Sequence, residues 1–227
     1  MNPSDIDREA IQTEFVRERG YWRPWNDTFL RERPEFLRQY ACYAGYPART
    51  GPMSERMVEL TYVALDASAS HLFESGLRTH MGKALECGAT PADIFDVLHL
   101  VATQGLASVV QAAAILAQET NPSLIPEGAS DPMTLLERLD PGYAEVVQPL
   151  LASEGPDHGL VPAEKCLVHI ALNACFTAHN PPALRHHIRQ GMSLGLNTDQ
   201  MLQAIQLGAH LSVHGTALGA QVYESLR

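Results

Sequence analysis

Apolar positions recur at three- and four-residue spacings along most of the chain, and no stretch alternates β-branched with polar residues for long. That pattern predicts an all-α protein. Residues 5–19 read as a charged N-terminal helix, and 27–43 as a second, with Pro34 at a break or restart. Between them Tyr21, Trp22 and Trp25 sit in a short loop-like stretch, where aromatics plug a gap in a core or an interface. Gly45–Pro52 reads as a turn-rich connector. Ser54 opens the next helix, with Glu55 in its first turn and Leu60, Ala64 and Ala67 on its apolar face. Leu77–Glu86 forms another, and Gly88 stands where a helix end favours a left-handed residue. Thr90 to Asp93, with Pro91 between them, is a capping box that starts a long apolar helix reaching about Glu119. Residues 120–132, with Pro122, Pro126 and Gly128, read as a linker.

After that linker the pattern begins again. A shift of 107 residues aligns the chain with itself without gaps, with eleven identities over residues 57–116. Leu60, Ala64, Leu65 and Ala67 fall on Leu167, Ala171, Leu172 and Ala174, and Leu77, Arg78 and His80 fall on Leu184, Arg185 and His187. The punctuation repeats too: Gly88 falls on Gly195, and Asn197 with Gln200 forms a second capping box. One supersecondary unit is used twice. The expected division is 1–52 as an N-terminal helical extension, 53–119 as the first unit, 120–159 as linker and connecting helix, and 160–227 as a second, more divergent unit.

Charge narrows the choice of partners. The 227 residues carry a formal net charge of −10 with no run of Lys or Arg, which disfavours nucleic acid and anionic membranes. Residues 1–19 have no apolar signal-peptide core. Leu98–Ala117 is apolar enough to suggest a membrane span, but it holds His99, Gln104, Ser108 and Gln111 and reads better as a buried helix of a bundle or oligomer. The expected compartment is the cytoplasm. Cys42, Cys87, Cys166 and Cys175 form no CxxC pair and no disulfide framework; Cys87, before Gly88, reads as a buried small residue.

The stretch Leu77-Arg78-Thr79-His80-Met81-Gly82-Lys83-Ala84-Leu85-Glu86-Cys87-Gly88-Ala89-Thr90-Pro91-Ala92-Asp93-Ile94 resembles the carboxymuconolactone decarboxylase family. Glu59-Leu60 is similar to the family's Glu-Leu, and Leu184, His187 and Gly195 echo the motif more weakly. The resemblance implies an AhpD-like helical bundle, internally duplicated, whose units self-associate into trimer- or hexamer-like rings. It also implies a pocket histidine, His80, supported by Glu59. One branch of that superfamily carries a CxxC thiol pair; here those positions are Phe73 and Gly76, and Asn180 and Ala183 in the second unit, so a disulfide relay has no thiols to use. At the Glu59 position the second unit has Cys166.

Three functions are compatible with these residues. The first is a cofactor-free decarboxylase, or related lyase or isomerase, acting on a small unsaturated carboxylic acid or lactone with His80 as proton donor; its substrate is its own electron sink, so neither cofactor nor metal is called for. The second is a non-catalytic binding or scaffold protein of the same fold. The third is a metal-dependent enzyme that uses second-unit histidines, since His210 and His214 are four residues apart and could join His187. His187, His210 and His214 are otherwise expected to line a substrate cavity. Arg78 and Arg185 each lie about 200° around the helix from the nearby histidine, so they serve an interface ion pair or bind a substrate carboxylate across subunits. His71 and His99 read as structural or at an interface.

Overall fold

The computed structural model describes residues 7–125, 133–153 and 159–227. Its helices are α1 (Arg8–Arg19), α2 (Pro24–Glu32), α3 (Pro34–Thr50), α4 (Glu55–Ala67), α5 (Glu74–Glu86), α6 (Pro91–Thr103) and α7 (Gly105–Thr120), then α8 (Met133–Leu139), α9 (Pro141–Ala152), α10 (Pro162–Ala174), α11 (Pro181–Ser193), α12 (Thr198–Leu207) and α13 (Val213–Ser225). No strand occurs among the described residues. Pro126 and Gly128 of the expected linker lie outside the described residues, while Pro122–Leu124 forms a 3₁₀ turn.

The 107-residue register governs the architecture. Shifted by it, the bounds of α4 and α5 become those of α10 and α11. The correspondence reaches behind residue 53 as well, since α3 and α9 both begin at a proline, Pro34 and Pro141. Backbone exceptions obey the same register. Gly88 and Gly195 have φ of 90° and 84°, and Leu72 and His179 adopt the rarer non-glycine left-handed values of 45° and 34°. Both capping boxes form: Thr90 Oγ1 accepts from Asp93 N at 3.2 Å, and Asn197 Oδ1 from Gln200 N at 2.9 Å.

At the centre, α4 packs on α10, and each also packs on the helices that follow it in its own unit. Leu60, Val63, Ala64, Val168, Ile170 and Ala171 are fully buried there. The ends then cross over: α13 packs on α2, and α7 packs on α8. Arg56 binds both units at once, donating to Asp93 at 2.8 Å on α6 and to Glu164 at 2.6 Å on α10. A second cluster gathers Phe15, Trp25, Leu37 and Tyr40 from α1–α3, where Trp25 plugs the core from the first turn of α2 and not from the loop-like stretch expected for it.

Three expectations change. The connector expected at Gly45–Pro52 is mostly helix, because α3 continues to Thr50 through Pro47. Tertiary packing overrides the local signals: Gly45 lets α3 lie against Glu18 of α1, and the Pro47 carbonyl accepts from Gln203 Nε2 at 2.7 Å. The long apolar helix is interrupted at Gln104, and only its first part is a core helix. Ile94, Val97 and Leu100 of α6 are buried, whereas in α7 only Ala117 is, and Val109, Ile115 and Leu116 are exposed. Pro91–Thr120 has the length and composition to cross a membrane, and 17% of its most apolar stretch is buried. Cys87 is exposed, because it sits in the turn after α5.

Replacing Gly88 or Gly195 by alanine tests the register energetically. A Cβ at either would meet no atom within 4 Å, so only the left-handed backbone resists it. Each change is expected to cost about 1–2 kcal/mol in urea unfolding; an unaffected midpoint in one variant would show that the two helix ends are not equivalent.

Candidate active site

Helix α4 places Glu59, Tyr62 and Asp66 at i, i+3 and i+7, on one face toward α5. From α5, His80 meets Glu59: Nδ1 lies 2.6 Å from Glu59 Oε2, with both side chains mostly buried. The Tyr62 ring tilts over His80 at 4.5 Å and meets His210 edge-on at 5.1 Å. His210 and His214 arrive from the other unit, from the 3₁₀ turn Ala209–Ser212 and from α13. Helix α1, which precedes the duplicated elements, delivers Arg19. Its Nη1 donates to the Ala44 carbonyl at 2.9 Å, and Nη2 reaches His210 Nε2 at 3.2 Å.

Arg19, Asp66, His80, His210 and His214 line a cavity of about 30 Å³, whose wall also includes Arg23, Tyr40 and Phe73. That is room for one or two waters or a carboxylate. Buried polar atoms point to a polar occupant. Arg19 Nε, Tyr40 Oη, Tyr62 Oη and Asp66 Oδ1 are buried without a hydrogen bond in good geometry, in a protein interior where such groups are rarely left so. Asp66 Oδ1 is 3.8 Å from His214 Nε2, and Phe73 stacks on His214 at 3.9 Å.

The electrostatics separate a base from an acid. Burial pulls His80 below the usual histidine range, against the opposing pull of Glu59. With Nδ1 engaged by Glu59, Nε2 is the nitrogen left for the cavity. Arg19 can only donate, so His210 Nε2 must accept, and burial likewise holds that ring well below its ordinary value. Asp66 moves the other way: burial raises it from 3.8 to about 7 although Arg23 and Arg19 pull it down. On the far side, Glu59 borders a surface groove that it shares with Arg49 and Lys83. It therefore connects solvent to His80.

The histidines expected to meet do not. His210 and His214 join His80, whereas His187 stacks face to face on His169 at 4.2 Å in the other half of the molecule. The crossover of α13 onto the first unit separates them, and among the described residues no group of three His, Cys, Asp or Glu side chains is arranged for a metal. Arg78 is exposed and paired with Glu74 at 3.2 Å, and Arg185 is exposed too, so neither lines its neighbour's cavity. His99 is structural, with Nε2 2.8 Å from the Leu150 carbonyl. His71 packs edge-on against His214 at 5.5 Å. Sequence reasoning missed Arg19, Tyr62 and Asp66. An aspartate deep in an apolar helix, seven residues after Glu59, was a legible signal for Asp66; Arg19, among Arg17 and Glu18 at a charged helix end, gave none.

Scans against protein-family models and against curated proteins return no match. Structural comparison does return one. The chain superposes on a crystal structure from Burkholderia xenovorans LB400 with a TM-score of 0.85 over 97% of each chain, at 24% sequence identity. That protein is provisionally named a gamma-carboxymuconolactone decarboxylase subunit. The chain has the carboxymuconolactone decarboxylase-like fold. The likeness covers both units, so the fold implied by Leu77–Ile94 is the fold observed for the whole chain. At this identity the likeness speaks for architecture only.

Asp66 makes the electrostatic reading testable. A carboxyl raised in the folded state contributes stability that is full below 3.8 and is lost as pH rises through about 7. Asp66→Asn removes that term. It should stabilise the protein relative to wild type at pH 8 and change little at pH 4, in unfolding midpoints measured at both. A destabilised Asp66→Asn at pH 8 would mean that the carboxylate is the form the fold prefers.

Proposed function

We propose that the His80 cavity is an acid–base site that acts, without a cofactor, on a small unsaturated carboxylic acid or lactone. The observation that carries this reading is the Glu59–His80 contact of 2.6 Å beside a buried arginine. The fold match supports the reaction class, because a protein of that architecture bears a decarboxylase name.

The chemistry follows from the charges. In a decarboxylation, the electrons of the breaking C–C bond move into the conjugated carbonyl, CO2 leaves, and a dienolate remains. Arg19 is a fixed cation for the oxygen on which that negative charge grows. Removal of water from the cavity weakens solvation of the departing carboxylate. The carbon must then gain a proton. A neutral His80 has none to spare on Nε2, so the donor is the Asp66 carboxyl, which burial keeps protonated near neutrality. His80 acts as the base toward a substrate that enters as the undissociated acid, taking the carboxyl proton and passing it through Glu59 toward the groove, while Asp66 regains the proton it gave to carbon from solvent. Isomerisation uses the same pair, with His80 removing a proton and Asp66 supplying one. A histidine lowered and a carboxyl raised by burial suit both halves of such a reaction. Proton donation is thus reassigned from His80, as the sequence suggested it, to Asp66.

The cavity admits a carboxylate-sized group as it stands, and the rest of a substrate requires its wall to open. Phe73 is a half-buried side chain on that wall, directly after the left-handed Leu72. The same small volume favours a second reading, a protein that binds a small anion without turning it over.

A UV assay with a carboxylated muconolactone, with CO2 release as the second readout, separates the two. Wild type should turn the substrate over, and His80→Ala and Asp66→Asn should each lose about 10²–10⁴-fold in kcat. Arg19→Gln should lower kcat more than it raises KM, because its charge is needed most in the transition state. Full turnover by His80→Ala would place the chemistry elsewhere. Binding without turnover in wild type would favour the anion-binding reading.

A further inference from the structure

The His80 cavity has a counterpart of different chemistry. Thr103, Ala107 and Val110 stand 107 residues before His210, His214 and Ala217, and His187 and Asn173 stand 107 residues after His80 and Asp66. All five line a second cavity of about 390 Å³. The first is narrowed to about 30 Å³ by Arg19, Tyr21 and Arg23, whereas no residue before Thr103 lines the second. Only the second has room for a whole ring compound.

Divergence between the copies has removed charge from this cavity. Asn173 replaces Asp66, Cys166 replaces Glu59, and Ala107 replaces His214. Cys166 Sγ donates to the His187 carbonyl at 3.0 Å, and burial pushes its thiol up to about 11. His169 and His187 stack with rings 5° from parallel, and burial lowers them to about 3 and about 4, so both are neutral. No Asp, Glu, Lys or Arg is among the described residues that line it. The opposite wall is the apolar face of α7, with Leu106, Val110 and Ala114. Gln104 and Asn173 each donate one of their two amide N–H groups, to the carbonyls of Leu172 (3.4 Å) and His169 (2.8 Å). Their side-chain oxygens remain as acceptors.

A cavity lined by apolar residues of α7 and by two stacked imidazoles suits a planar ring. Free acceptors ask for a ligand that donates. Burying an anion with no cation beside it is costly. We infer that this second cavity binds an uncharged hydroxylated aromatic molecule of the phenol type, its ring lying between α7 and the His169–His187 pair and its hydroxyl donating to Asn173 or Gln104. This site stands independently of what the His80 cavity catalyses.

The test uses phenol and benzoate, two single-ring probes of which only the second is an anion, titrated into the full chain labelled at its histidines. Phenol should saturate the protein, shift the ring signals of His169, His186 and His187, and bind at least about tenfold more tightly than benzoate at those signals, about 1.4 kcal/mol. Ala107→Trp should fill the cavity and abolish these shifts, and Ala107→Ser, which adds little volume, should keep them. The wild-type titration alone decides the matter if the tryptophan variant fails to fold. Equal or tighter binding of benzoate at these histidines, phenol shifts confined to His80, His210 and His214, or no saturable binding at millimolar phenol would each overturn the inference.

Discussion

Beyond their first turns, helices α4 and α10 have almost no face open to water. Leu60, Val63 and Ala64 in one, and Val168, Ile170 and Ala171 in the other, are fully buried. A helix enclosed all round needs neighbours all round, and one unit does not supply them. Each central helix takes some from its own unit and the rest from the other, which is why the units interlock and their last helices cross over, α13 to α2 and α7 to α8. Function inherits this arrangement. Each cavity takes its α4-type and α5-type walls from one unit and its last wall from the other, so neither is complete in half a chain.

Duplication made two cavities of one plan, and sequence divergence gave them opposite chemistry. The first concentrates His80, Asp66, His210 and His214, with Glu59 in contact with His80, and α1 closes it with Arg19. The second keeps the histidine at His187 and loses the acids. Burial then acts on what each copy retained. It lowers the histidines in both, and in the first it also raises a carboxyl, so an acid and a base exist side by side near neutrality. An uncharged second cavity has no such pair, and it is the roomier of the two because nothing like Arg19 intrudes.

Local signals carried the fold a long way. The helix starts at Ser54, Thr90 and Asn197 are visible because capping needs particular side chains at particular offsets, and each cap is formed. The left-handed glycines were visible for a similar reason. The path of α3 through Gly45 and Pro47 was not, since both residues signal a turn and only contact with α1 and α12 makes them helical. The site was half legible. His80 and Glu59 came from a motif, and the structure places them in contact. The grouping of His187 with His210 and His214 failed, because spacing along a chain says nothing of a helix exchange. Arg19 was invisible for the same reason: a buried arginine looks like any other until the fold shows which carbonyl and which ring it meets.

Whether His80 rests as a neutral base decides the division of labour in the first cavity. Nitrogen-15 spectra of the imidazoles in the labelled full chain at neutral pH measure it directly, with His80→Ala to assign the signals. A proton on Nδ1 and a lone pair on Nε2 is the predicted state, because burial outweighs Glu59 and Glu59 selects the tautomer. An imidazolium with both nitrogens protonated would contradict it, and would return the role of proton donor to His80.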